Sequence, residues 1–291
     1  SRIKLQTKDS VSLQFNALII YQDLIQFHQK DNNLDALVDA DIHRINFVQQ
    51  HATFNHKDEI ALATLKKSRT VLKNKKASGF YAFEIAKTYR KKSKNKEALK
   101  VCNSIISEFP KSFTAINCKI LKNQIQQKSL SIKAEKYIPI NSNSRVLINY
   151  KNIEQLYFSA YKITDKQSHQ FNRMHDFDEK RKLIQSLEKV KTWESKLRNE
   201  YDYAQHSTEI IVPKFDNGRY LLLTSEKEDF NEDEIYGTAT IQVTNLTLIK
   251  NNFDSKYNYQ IVDRNTGNPA KTVINEFKND KNNPAMFINI T

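Results

Sequence analysis

The chain has 291 residues, with 39% hydrophobic and 27% charged side chains, a balance that excludes a disordered polymer and allows about two globular domains. Only 4 glycines and 5 prolines are present, which leaves little material for the glycine-rich loops that cradle phosphates. The net charge is +13, yet Lys is accompanied by abundant Asn, Ile and Tyr, a bias of AT-rich codons, and the basic runs Lys73 to Lys76 and Arg90 to Lys96 fall at expected helix ends, where cations sit in water, so no nucleic-acid partner is expected.

Residues 11 to about 128 read as helices. Leu13, Phe15, Leu18, Ile19, Tyr21, Leu24, Ile25 and Phe27 recur at helical spacing. Asp31 is the expected cap of a second helix carrying Leu34, Leu37, Val38, Ile42, Ile45, Phe47 and Val48. Asn55 or Asp58 is expected to start a third, with Ile60, Leu62, Leu65, Val71 and Leu72. Phe80 to Pro110 then resembles a tetratricopeptide repeat. Ala86 and Ala98 are small where two helices cross, Tyr89 fills the gap beside them, Cys102 and Ile105 continue the inner face, and Pro110 closes the unit. The flanking stretches 33–74 and 112–127 read as degenerate repeats. Such stacks offer grooves for peptides, or simply pack on a neighbouring domain.

Near residue 130 the hydrophobic period changes from 3.6 to 2. Strands are expected at Leu130–Ala134, Val146–Ile148, Gln155–Ile163, Thr208–Val212, Arg219–Thr224, Thr238–Val243 and Leu246–Ile249. Short strands with turns between them predict an antiparallel sandwich. Tyr220, two residues after Gly218, is placed to bond nearby backbone as a tyrosine corner does. Leu183, Leu187, Val190, Trp193 and Leu197 form a stripe at helical spacing, capped by Asp176 or Asp178, and predict a helical insertion over about 170–203. From Asn251 a further β unit is expected to begin, with strands at Tyr257–Val262 and Val273–Phe277 around a turn at Asp263–Pro269, and to be cut short by the end of the chain at Thr291. The reading is therefore multidomain α plus β: an α-helical repeat over 1–129, a fibronectin-like sandwich over 130–250, and a truncated β domain over 251–291.

A set of short motifs resembles the N-terminal region of a Bacteroidetes-type bacterial alpha-2-macroglobulin-like protein. These are Phe109-Pro110-Lys111-Ser112, Asn117-Cys118, Ser129 to Ile132 with Glu135, Asn149 to Asn152, Leu156-Tyr157-Phe158, His206 to Glu209, Gly218 to Leu223, Val243 to Leu246, and Asp263-Arg264 with Thr266 to Pro269. The resemblance implies a string of macroglobulin-like domains in a large protease trap, exported to the periplasm or anchored to the outer membrane. Its partners would be the other domains of the parent chain, with proteases or envelope proteins beyond them. It also implies a distant Cys-x-Glu-Gln thioester, which neither cysteine here supplies: Cys102 precedes Asn-Ser-Ile and Cys118 precedes Lys-Ile-Leu. No functional residue is carried over.

No motif for a nucleophile elbow, P-loop or zinc protease is present. The chain is read as non-enzymatic, with no catalytic, cofactor-binding or metal residues and no cofactor. Two acidic regions have the residue types of a cation site, although each reads first as an ordinary solvated loop. One is His169 and His175 beside Asp176, Asp178 and Glu179. The other is Asp229 to Glu234, which lacks the glycine of a calcium loop and has Thr240 at its twelfth position. His51 and His56 are five apart and off one helical face. Cys102 and Cys118 read as buried free thiols. Tyr157, Tyr161, Tyr201 and Tyr203 suit an interface. Asn245-Leu-Thr and Asn289-Ile-Thr match a glycosylation pattern that carries little weight in a chain that resembles a bacterial family. No segment reaches the ~20 apolar residues of a membrane span, and no signal peptide pattern is visible. Two readings follow: a scaffold and interaction module of the large inhibitor, or a stand-alone peptide-binding adaptor that uses the helical groove.

Overall fold

The computed structural model describes residues 4–9, 11–228, 235–253 and 256–270. The chain divides into two compact units, 1–127 with 200–204, and 128–199 with 205–291. The Asp229 to Glu234 loop and the Val273–Phe277 strand expected from sequence lie outside the described residues.

The first unit holds six helices: α1 (Leu13–Lys30), α2 (Leu34–His51), α3 (Lys57–Val71), α4 (Ser78–Lys91), α5 (Asn95–Glu108) and α6 (Phe113–Gln126). Their starts follow ordinary capping chemistry. Ser12, Asn33 and Ser112 each accept a hydrogen bond from a backbone amide three residues on. Asn33, rather than Asp31, caps α2; Asp31 is two residues too early and instead accepts from the Asn33 amide at 2.8 Å. Its carboxyl is held below the usual range by that amide and by His28. Neither Asn55 nor Asp58 caps α3: it starts after His56, which holds the N-cap in the left-handed region at φ 60°.

Small residues decide how these helices pack. Ala82, Ala86, Ala98, Ala115, Cys102 and Cys118 are fully buried and let α4, α5 and α6 approach closely. Val38, Ile42, Ile45, Leu65, Tyr81 and Ile85 form the adjoining core between α2, α3 and α4. Tyr89 touches both cores, so the two apolar clusters form a continuous stack. The Tyr81 hydroxyl donates to Asp41 Oδ2 at 2.7 Å, tying α4 to α2, and burial together with that carboxylate pushes the phenol up.

Gly79 sits where α4 meets the start of α6. A Cβ there would lie 2.5 Å from Thr114 Oγ1, in a hydroxyl pair with Ser112. Gly79→Ala gains at most about 1 kcal/mol of helix propensity, less at this first-turn position, against about 1–3 kcal/mol of overpacking. A net loss of about 1–2 kcal/mol is expected in urea denaturation. Thr114→Ala should relieve most of it, so the double-mutant cycle has a favourable coupling; additive losses would place the strain elsewhere.

The second unit is a β-sandwich. Its strands are β1 (Ser129–Ala134), β2 (Tyr137–Ile138), β3 (Ser144–Lys151), β4 (Gln155–Lys162), β5 (Glu188–Lys196), β6 (His206–Val212), β7 (Gly218–Ser225), β8 (Tyr236–Val243), β9 (Leu246–Phe253) and β10 (Lys256–Asp263), with helices α7 (Asp165–Arg173) and α8 (Phe177–Ser186) between β4 and β5. One sheet runs β1-β3-β6, the other β2-β8-β7-β4-β5, and β9 with β10 forms a hairpin. All pairings are antiparallel except β2 with β8. The strands alternate as expected for facing sheets. Val146, Ile148, Ile210 and Val212 from one sheet share a core with Leu156, Phe158, Leu222, Ile241 and Val243 from the other.

The helical insertion ends at Ser186, and residues 188–196 are strand β5, so the helix expected over about 170–203 is corrected there. The cause is a bulge. Ala160 pairs with Lys191 and Tyr161 with Lys189, leaving Val190 as the extra residue. That extra residue puts Val190 and Trp193, three apart, against the same core, and the resulting spacing imitates a helix. Asp176 caps α8, and Thr164 with Gln167 forms a capping box on α7. Both helices cover the outer face of the larger sheet, where Phe171, Ile184 and Leu187 pack on Tyr161, Leu221 and Leu223. This double coverage explains why β7 is buried almost throughout rather than alternately.

The Tyr220 hydroxyl donates to the Asp216 carbonyl at 3.0 Å, closing the corner before β7. The β9–β10 hairpin pairs from Leu246↔Asp263 to Phe253↔Lys256, so the expected boundary at residue 250 falls inside a strand. The turn after β10 is held by Asp263, whose carboxylate accepts from the Asn265 and Thr266 amides, both at 2.9 Å, with Gly267 at φ 74°.

Candidate interaction site

Among the described residues the side chains with displaced pKa values do not gather in a cleft as those of a catalytic centre do. Tyr81 and Tyr220 are displaced chiefly by burial within the cores, and each donates to an oxygen of its own unit. Cys102 on α5 and Cys118 on α6 are free thiols with no exposed surface. Their shared hydrogen bond, with burial added, pushes the Cys118 thiol far above the ordinary range, where it is unreactive.

The histidines are dispersed. His51 packs on Phe47 with ring centroids 4.4 Å apart, and His56 occupies the α3 N-cap. His169 and His175 line an open cleft at the α7–α8 turn with Asp176 and Glu179. The Asp176 carboxylate is engaged there by the Glu179 amide at 2.9 Å. Among the described residues, no group of three or more His, Cys, Asp or Glu side chains is placed to hold a metal ion. No described helix is long and apolar enough to cross a membrane. The four tyrosines read together in the sequence separate: Tyr157 and Tyr161 lie on β4, whereas Tyr201 and Tyr203 belong to the helical unit. Asn245, of the glycosylation pattern, accepts from the Ile140 amide at 2.8 Å and is part of the sandwich's own bonding.

The feature of the helical unit most suited to a partner is a cavity of about 490 Å³ among α3, α4 and α5. The first helices of successive pairs, α2, α4 and α6, pack on one another along the stack. Between the second helices, α3 and α5, an opening remains. Its floor is Ile85 and Tyr89 of α4 with Val101 of α5. One wall is basic: Lys66 and Arg69, three apart on α3, share a face, and Lys73 joins them from the turn after the helix. Lys66 lies over the Tyr89 ring at 5.3 Å. Arg69 reaches Ser104 Oγ at 2.8 Å and Glu108 at 3.7 Å. Three cations thus face one carboxylate across an apolar floor, an arrangement suited to an acidic, partly apolar segment. Periodicity gives no hint of this cavity, because its two sides come from helices some forty residues apart.

No family model matches the chain, and no curated protein does. Among solved structures it is similar over half its length to native alpha-2-macroglobulin from Escherichia coli spanning domains MG0-NIE-MG1, with 12% identity and a TM-score of 0.37, covering 50% of this chain and 48% of that one. The chain thus spans about half the length of that structure. The NIE-MG1 portion of the same protein gives 12% identity and a TM-score of 0.33, covering 50% of this chain and 74% of that chain. The CARDB domain of the PF1109 protein from Pyrococcus furiosus, in complex with di-metal ions, gives 12% and 0.23, covering 40% of this chain and 88% of that chain. At TM-scores below 0.5 these likenesses support neither a shared function nor a shared site.

Proposed function

We propose that this chain is a non-catalytic scaffold and interaction module from the N-terminal part of a large alpha-2-macroglobulin-like protease trap of the cell envelope. One observation supports the reading above others. Most of the motifs that carry the sequence resemblance fall on the framework of the sandwich, while Phe109–Ser112 and Asn117-Cys118 lie at the α5–α6 junction and on α6 of the helical unit. Tyr150 of the Asn149–Asn152 motif is a core residue whose hydroxyl donates to the Arg198 carbonyl at 2.7 Å. Leu156 and Phe158 are core residues of β4, Gly218 to Leu223 is the tyrosine-corner strand, and Asn245 joins the β8–β9 turn to Ile140. In this reading the sandwich docks other macroglobulin-like domains of the parent chain, and the tetratricopeptide-like helices contribute a surface for proteases or envelope proteins. The location is the periplasm or the outer membrane.

The test is a protease challenge of the full-length parent, with a small peptide and a large protein substrate followed in parallel. A trap leaves small-substrate cleavage intact while large-substrate cleavage falls. If both activities persist and the parent is not cut at a discrete site, the trap reading fails. The second reading, a peptide-binding adaptor, then leads, because the basic α3–α5 cavity supports it independently of any inhibitor role.

A further inference from the structure

A second cavity, of about 460 Å³, lies in the sandwich unit between α8 and the outer face of the larger sheet. Tyr157 and Tyr161 of β4 form its aromatic floor, Ile184 of α8 its apolar wall, and Arg181, Lys189 and Glu228 supply its charges. It exists because the apolar seal between α8 and the sheet does not extend to Tyr157. Ile184 and Tyr161 belong to that seal, whereas Tyr157 does not.

The guanidinium of Arg181 is the informative group. One of its ends, Nη2, is held by Asp178 Oδ1 at 3.1 Å. Its Nε is shielded from solvent and has no hydrogen-bond partner among the described residues. A shielded N–H without an acceptor costs about 1–3 kcal/mol, a cost that a small turn of the partly exposed Arg181 side chain toward an acceptor in the cavity would relieve. Lys189, over the Tyr161 ring at 5.7 Å, adds a second cation to the same cavity. The cavity holds many times the ~30 Å³ of one water and falls in the size range of small-molecule sites.

We infer that this cavity binds a small organic carboxylate with an aromatic or aliphatic body. A carboxylate is planar and matches the edge of a guanidinium. It also carries a single charge, and because Glu228 and the Asp178 partner of Arg181 already balance the two cations, a ligand of higher charge would be left less compensated. A phosphate dianion would meet the same carboxylates at greater cost. The phenol rings and Ile184 then receive the body. This site is separate from the helical cavity and does not depend on the scaffold reading.

The test is isothermal titration of the full chain with N-acetyl-L-phenylalanine, its C-terminal amide, and acetate. The acid is expected to bind at about millimolar or tighter, with the amide and acetate each at least about tenfold weaker, a difference of 1.4 kcal/mol. Arg181→Gln should weaken the acid by at least about tenfold. Lys189→Gln, on an exposed side chain, should weaken it less and serves as the second variant. Far-UV circular dichroism and the melting temperature confirm that each variant is folded. Equal binding of acid and amide, equal binding of acid and acetate, an unchanged affinity in a folded Arg181→Gln, or no heat from any probe at about 10 mM would each overturn the inference.

Discussion

Phe158→Ala is expected to cost the sandwich about 3–5 kcal/mol, the range for a large aromatic removed from a closed core. Phe158 is 1% exposed and pairs across the β4–β5 ladder with Trp193. The two rings stack with centroids 5.0 Å apart and planes 7° from parallel. The substitution therefore removes the Phe158 ring from the core and the contact that holds Trp193. The second loss matters because β5 lies at the edge of its sheet, with β4 as its one neighbour among the described residues. Of its side chains only Val190 and Trp193 are among the hydrophobics packed on the core. Phe158→Leu keeps most of the volume and should cost less, leaving a gap that the indole can partly fill. Urea denaturation followed by Trp193 fluorescence checks both, since Trp193 is the sole tryptophan and reports on this unit alone. A loss below about 1 kcal/mol in Phe158→Ala would show that β5 is held chiefly by its backbone ladder rather than by this stack.

The contrast between β4 and β5 shows what the sequence reveals and what it conceals. The β4 run, Gln155 to Lys162, is dense in aromatics and alternates in burial, so its period identifies it. β5 is the more polar strand, and its few apolar residues are thrown out of alternation by the bulge at Val190. A bulge is fixed by the partner strand, and no local pattern announces it. The two-residue β2 is set by its parallel pairing with Gln242 and Val243, a contact about a hundred residues away. The helices were legible because α4 and α5 carry their small residues at the crossing, where close packing demands them. Candidate sites are harder. Lys66, Arg69 and Lys73 look like solvated cations until α5 is seen opposite them. Arg181 looks like any surface arginine until its Nε is found shielded and without an acceptor among the described residues. In both cases the chemistry lies in what the far side of a cavity contributes.

A contact of this long-range kind carries the second large effect, expected for Asn95→Ala. Asn95 opens α5 and is 5% exposed. Its side-chain amide donates to the carbonyls of Asp202 at 3.1 Å and Tyr203 at 3.0 Å, and its Oδ1 accepts from Arg90 at 3.2 Å. These bonds hold residues 200–204, which belong to the helical unit although the sandwich strands β5 and β6 flank them in sequence. The segment is conformationally costly. Tyr201 and Tyr203 have φ of 53° and 59°, a region that disfavours bulky residues by about 1–3 kcal/mol each. The packing of Tyr203 on the α4–α6 core and the two Asn95 bonds offset that cost. Alanine removes both bonds and leaves the segment to relax, for an expected loss of about 2–3 kcal/mol. Asn95→Asp should be nearly as damaging, because a carboxylate has no N–H to donate. The decisive measurement is amide hydrogen exchange. Protection at 200–205 should fall in both variants while α2 and α3 keep theirs. Uniform loss across the helices would mean that Asn95 acts through the α5 start alone, and unchanged protection at 200–205 would mean that Tyr203 packing suffices to hold the segment.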